Sequence, residues 1–252
     1  DYCCMEIIGA LLAGSFIGAV LGFVGAGGAM LSVPILMYLF DFTPHHATTA
    51  ALAVVFLAAL SGAIPKMRSQ EILYRDAFVI WGIGLTTNLG FSSISDSFSD
   101  TFIKSGFAIV LLFAGSSMLR SPFTDTHSRM PVSKLILISL VIGSMTGIFG
   151  IGGGFLAIPV LVLFFGTPQN IAAGTSLLII SLNSITSFLG HHKVWSDVDW
   201  KIPALMAISA VIVASVASHR GGISSPEKLR KAFAFLLFSI ATFTLLQVLL
   251  QS

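Results

Sequence analysis

The chain has 252 residues, of which 55% are hydrophobic and only 10% charged, with mean hydropathy +0.95 and formal net charge +2. Soluble domains carry about 25% charged residues, so this composition excludes a soluble surface, and the small net charge gives no footprint for nucleic acid. Apolar stretches run from end to end, which points to one polytopic membrane domain with the lipid bilayer as its solvent.

The first apolar stretch, Ile7–Val24, has neither a basic region before it nor a cleavage site after it. It therefore reads as a membrane helix and not as a cleaved signal, with Met5 a candidate native start. The adjacent Cys3 and Cys4 imply no disulfide framework. Further segments follow at Ala29–Phe40, Ala47–Ile64, Ala77–Phe91 and Phe102–Leu119. A polar stretch, Arg120–Lys134, separates them from Leu135–Phe149, Phe155–Phe165, Ile171–Leu189, Ile202–Ser218 and Leu229–Leu250. A bilayer core needs about 20 helical residues. Ala29–Phe40 and Phe155–Phe165 fall short, and each follows a cluster of glycines.

That coincidence marks an internal repeat. With a shift of 125, GFVGAGGAMLSVPILMYLF falls on GIFGIGGGFLAIPVLVLFF. Gly22, Gly25, Gly27, Gly28, Leu31, Pro34, Leu36 and Phe40 meet Gly147, Gly150, Gly152, Gly153, Leu156, Pro159, Leu161 and Phe165. Each half holds five segments, and an odd number inverts the second half relative to the first. The expected fold is all-α, a single membrane domain over 1–252. Its repeats cover about 5–119 and 135–250, joined by a linker at 120–134.

Charge tests the inversion. Lys66, Arg68, Arg75, Arg120, Arg129, Lys134, Arg220, Lys228, Arg230 and Lys231 fall in loops on one side of a ten-segment chain. Only Lys104, Lys193 and Lys201 fall on the other. The rich side is expected to be cytoplasmic, with both termini outside.

The glycines admit several readings. A phosphate-binding loop needs a Lys after the last glycine, and a dinucleotide fold needs a third glycine where Phe155 stands, after a strand. Neither condition is met. Gly14, Gly18 and Gly22, like Ser139, Gly143 and Gly147, form small-residue ridges that let membrane helices approach closely. The clusters themselves break that spacing and precede Pro-containing half-helices. Unwound backbone in a membrane is tolerated where it is buried in protein or lines a cavity. The N–H groups of a following short helix make an anion site, and paired breaks in inverted halves point to a transporter site.

GIFGIGGGFLAIPVLVLFF together with AAGTSLLIISLNSITSFLGHHKVWSDVDW resembles the second-repeat signature of the TauE/SafE (TSUP) sulfite-exporter-like permeases. GFVGAGGAMLSVPIL is similar to the first-repeat copy, although it has Ala26 and Ala29 where a fuller motif has a bulkier residue and glycine. The likeness covers nearly the whole chain. It implies export or exchange of a small sulfur anion, such as sulfite, sulfoacetate or thiosulfate, across a bacterial inner membrane.

Other polar residues refine this expectation. No Asp or Glu lies well inside a segment, which suits an anion path, because a midplane carboxylate would repel the substrate. Adjacent His45 and His46, and His191 and His192, point apart on a helix, and no Cys or carboxylate completes a metal site with them. No metal, cofactor or catalytic set is expected, and the chain does not read as an enzyme.

The anion is expected near the middle, against Gly25, Gly27, Gly28 and Ala29 from one break and Gly150, Gly152, Gly153 and Gly154 from the other. Thr48, Thr49, Thr175, Ser176 and Asn183 complete its shell as neutral donors. His45, His46, Asn88, His191, His192 and Lys193 are vestibule or gating candidates. A passive anion channel and a carboxylate transporter are the alternatives, and a homodimer is compatible with all of them.

Overall fold

A computed structural model describes residues 2–95, 100–119, 133, 135–137, 139–140, 157–158, 161–162, 166–221 and 226–251. Among these residues every regular element is helical. The first half contains α1 (Tyr2–Val24), α2 (Gly28–Leu39), α3 (Pro44–Arg68), α4 (Tyr74–Ser95) and α5 (Asp100–Leu119). The second contains α6 (Gln169–Gly190), a 3-10 helix (His192–Asp197), α7 (Lys201–Gly221) and α8 (Pro226–Gln251). Their limits follow the apolar segments closely; the 3-10 helix was not foreseen. Four described helices are long and apolar enough to cross a membrane: Met5–Val24, Pro44–Arg68, Asn170–Gly190 and Lys201–Arg220. The second glycine cluster, Gly150 and Gly152–Gly154, lies outside the described residues.

The ridge on α1 does what small residues do between membrane helices. Gly14 borders Met206 and Ser209 of α7, Gly18 borders Ala210, and Gly22 borders Ala214, Ala217 and Ser218. A Cβ at any of the three would overlap α7, so the backbones touch and dispersion contacts hold them together. Ile8, Leu12 and Phe16 are exposed on the opposite face of α1, as a lipid-facing stripe requires.

Neighbouring contacts give the helix directions. Gly22 and Gly62 both approach Ala214, while Leu177 borders Gly62. A turn further along, Gly25 borders Ala173 and Lys66 borders Gly174. Thus α1, α3 and α7 run parallel and α6 runs against them. Two hydroxyls tie α3 to α7: Ser61 donates to the Val211 carbonyl (2.7 Å) and Ser218 to the Gly62 carbonyl (2.6 Å).

The shift of 125 residues recurs in the backbone. Asp41 and Gly166 both adopt positive φ, 55° and 58°. Phe42 N–H donates to Leu36 C=O at 3.1 Å, as Thr167 N–H does to Leu161 C=O at 3.1 Å. Ala47 N–H donates to Thr43 C=O (2.8 Å), as Ala172 N–H does to Pro168 C=O (2.9 Å).

Candidate functional site: a glycine break against the start of α6

The first glycine cluster is a true break. α1 ends at Val24 and α2 begins at Gly28. Gly25 and Gly27 lie at φ 81° and 89°, a region costly for any residue with a Cβ. Gly25, Ala26, Gly27 and Gly28 are all buried. α2 has 12 residues, about half a membrane span, and its N-cap Gly27 supplies no side-chain hydrogen bond.

The break packs on the second turn of α6. A Cβ on Gly25 would lie 2.6 Å from the Cα and Cβ of Ala173. The next residue, Gly174, meets the loop between α3 and α4, with a Cβ there overlapping the Glu71 carbonyl. Thr175 then receives the Leu73 N–H (3.0 Å) and donates to the Ile171 carbonyl (2.7 Å). Gly174 and Thr175 of α6 therefore hold the α3–α4 loop against the helix, Gly174 by giving room and Thr175 by a hydrogen bond.

That loop carries charge into the site. Ser69 caps α3, Gln70 turns at φ 55°, Gln70 N–H donates to Met67 C=O (3.2 Å) and Glu71 N–H to Lys66 C=O (2.9 Å). This is a Schellman motif, which folds Glu71 back onto Lys66. The usual apolar contact at these two positions is replaced by an ion pair, Lys66 Nζ to Glu71 Oε2 at 2.6 Å. The other oxygen, Oε1, accepts from Asn170 Nδ2 at 2.8 Å. Burial pushes the Glu71 carboxyl up, but the hydrogen bonds from Lys66 and Asn170 and the Lys66 charge outweigh it and hold the group below its ordinary range.

The sequence reading placed Lys66 in a loop as a topology charge. It belongs instead to the last turn of α3, and its side chain is only 4% exposed. Lys66, Glu71 and Asn170 are not among the residues the sequence selects; their one sequence signal is a lysine directly after an apolar segment. Ser184 was also missed. Its hydroxyl is buried with no hydrogen-bond partner among the described residues.

The other sequence-selected residues divide by position. Thr48 and Thr49 donate to the Pro44 and His45 carbonyls (2.8 and 2.9 Å) in the first turn of α3. They lie 18 and 17 residues before Lys66, about 25–27 Å along the helix, so the structure does not bring them to the first break. Ser176 is fully buried in the second turn of α6, and Asn183 is half-buried two turns further on. His191 caps α6 and His192 opens the 3-10 helix, their Nδ1 atoms 2.8 and 3.2 Å from the Ser187 and Leu189 carbonyls. Lys193 is exposed in the 3-10 helix. Because α3 and α6 are antiparallel, His45 and His46 share that end of the pair, opposite Lys66. Aromatic rings close this end: Phe188 stacks on Trp195 with centroids 4.4 Å apart and meets Trp200 edge-on. The side chains of Ala29 and Asn88 lie outside the described set.

Comparison with known proteins decides the family. The profile of the sulfite exporter TauE/SafE family matches residues 10–244. The chain belongs to the TauE/SafE family. A probable membrane transporter protein of Xylella fastidiosa (strain 9a5c) is 25% identical over 241 residues, covering 92% of each chain. The probable membrane transporter protein YunE of Bacillus subtilis (strain 168) is 28% identical over 224 residues, covering 78% of this chain and 81% of its own. Probable membrane transporter protein MJ0441 of Methanocaldococcus jannaschii reaches 36% identity over 83 residues, 31% of each chain. No solved structure matches. The TauE/SafE chain described here is thus a multi-pass membrane protein of transporter type.

Proposed function

We propose that this TauE/SafE protein is a secondary transporter that exports or exchanges a small sulfur oxyanion, of the sulfite or sulfoacetate kind, through two inverted halves. The carrying observation is the buried break at Gly25–Gly27, set against the first turns of α6. It exposes backbone to a protein interior where only an internal partner or a bound ligand can satisfy it. Two helix N-termini, those of α2 and α6, lie near it, and neither has a side-chain cap. Their partial positive charge favours an anion.

The inverted architecture is supported by three findings. The shift of 125 residues recurs in backbone hydrogen bonds. The corresponding helices α3 and α6 run antiparallel. The C-terminal ends of α1, α3 and α7 lie together, bringing Lys66, Arg68 and Arg220 to one end. We take that end as cytoplasmic, which puts both chain termini outside, in a bacterial inner membrane. Rocking of one half against the other, with the glycine breaks as hinges, would alternate access.

A ligand screen tests the proposal. Purified protein is heated in detergent with sulfite, sulfoacetate, thiosulfate, acetate or chloride. Selective stabilisation by sulfur oxyanions that grows with concentration is the expected result. Stabilisation by acetate alone would turn the reading to a carboxylate transporter, and no response to any anion would overturn it.

A further inference from the structure

We propose that Lys66 is the cation that holds the substrate anion, and that Glu71 occupies the same place in the empty protein as an internal carboxylate. The inference rests on the anion-transport reading above and names the residues of that site.

The structure already contains an oxyanion bound at the start of α6, and that oxyanion belongs to the protein. One Glu71 oxygen takes the Lys66 ammonium at 2.6 Å and the other takes the Asn170 amide at 2.8 Å. A cation and an amide donor, spaced for two oxygens of one planar group, suit any small oxyanion presenting two oxygens on a common centre. Asn170 is the second residue of α6, so the helix N-terminus adds its field to the same cradle.

A buried ion pair is a poor way to secure a loop, because removing both charges from water offsets most of their attraction. The Schellman motif needs only an apolar contact between these two positions. The loop is already held by its two capping hydrogen bonds and by Leu73 N–H to Thr175. The charges add to stability but the turn forms without them, whereas an anion carrier needs a buried cation that is never left unpaired. Glu71 meets that need between substrate molecules.

The Glu71 side chain is 19% exposed and Lys66 4%, so the carboxylate is the outer partner. It sits on a short loop and leaves Lys66 by side-chain rotation while its backbone stays anchored. Arg68 and Arg75 flank the loop and raise the local anion concentration. Exchange of Glu71 for a substrate anion keeps Lys66 paired at every stage.

The experiment compares wild type with Lys66→Gln, Glu71→Gln and the exchanged pair Lys66→Glu/Glu71→Lys. The readouts are melting temperature without ligand and its dependence on sulfite, sulfoacetate, thiosulfate, acetate and chloride. Glu71→Gln removes the competitor and is expected to tighten anion binding about tenfold, the value of one charge-assisted hydrogen bond. Lys66→Gln is expected to abolish the anion response. The exchanged pair keeps an ion pair but forfeits the Asn170 donation and the favourable helix field at position 71, so it melts somewhat lower without ligand and loses the anion response.

A purely structural pair predicts instead that the exchanged protein binds anions like wild type and that Glu71→Gln gains nothing; either result overturns the proposal. If the exchanged pair does not fold, the Glu71→Gln affinity decides alone. A Lys66-dependent response to acetate but not to sulfur anions would support this inference and overturn the sulfur assignment. No response by wild type to any of the anions would overturn both.

Discussion

Gly25 is where backbone geometry, packing and the candidate site coincide, so Gly25→Ala is the sharpest perturbation of the fold. Its φ of 81° places an L-residue in the left-handed region at a cost of about 1–2 kcal/mol. The new methyl would lie 2.6 Å from the Cα and Cβ of Ala173 and 2.9 Å from its carbonyl oxygen. These atoms are backbone or short side chain, with no flexible end to give way. Such overpacking costs about 1–3 kcal/mol, so the two effects together reach about 2–5 kcal/mol. Thermal unfolding in detergent, with flux in liposomes alongside, reads the loss. Gly82→Ala in α4 is the control. Its Cβ meets nothing within 4 Å, and alanine in a helix gains about 0.5–1 kcal/mol over glycine. A Gly25→Ala protein as stable and as active as the Gly82→Ala control would refute the account of the break.

Three further outcomes are expected. Gly18→Ala drives a methyl to 2.9 Å from the Ala210 Cα and should separate α1 from α7, lowering detergent stability by about 1–3 kcal/mol; Ile8→Ala on the lipid face should cost far less. Gln70→Gly relieves a positive φ of 55° and should raise the melting temperature, by about 1 kcal/mol of stability. Because the Glu71 carboxyl is held below its ordinary range, its contribution is complete above the usual glutamate value of about 4.3. It is lost as pH falls through the lower folded value. Melting curves between about pH 3 and 6 should therefore show an acid limb that Glu71→Gln flattens.

Much of the fold was legible because membrane helices announce themselves by unbroken apolar runs, and the described helices sit within a few residues of them. The 125-residue offset read from the aligned Gly, Leu and Pro positions also separates the positive φ of Asp41 from that of Gly166. Packing of Gly14, Gly18 and Gly22 on a neighbour followed from their spacing, although the identity of that neighbour, α7, did not. The site was only half legible. Gly25 and Thr175 attracted notice as a break and a hydroxyl in apolar surroundings. Thr175 proves to hold a loop, and its proton goes to the Ile171 carbonyl.

Lys66 and Glu71 escaped because a lysine at a helix end looks like a topology charge. Only the Schellman turn at Gln70, with a non-glycine residue at positive φ, carries Glu71 back into the interior. Thr48 and Thr49 were grouped with Thr175 by sequence analogy. The antiparallel course of α3 and α6 separates them from it: Thr48 and Thr49 begin α3, whereas Thr175 lies near the start of α6.

The central claim is tested most directly by solute counterflow. Protein reconstituted in liposomes loaded with unlabelled sulfite is diluted into labelled sulfite, and uptake is followed. A carrier with one anion site predicts transient, saturable accumulation that internal sulfite accelerates and external sulfoacetate inhibits. Uptake that ignores internal sulfite and rises linearly with concentration, accompanied by unitary currents, would contradict the account and make the protein a channel.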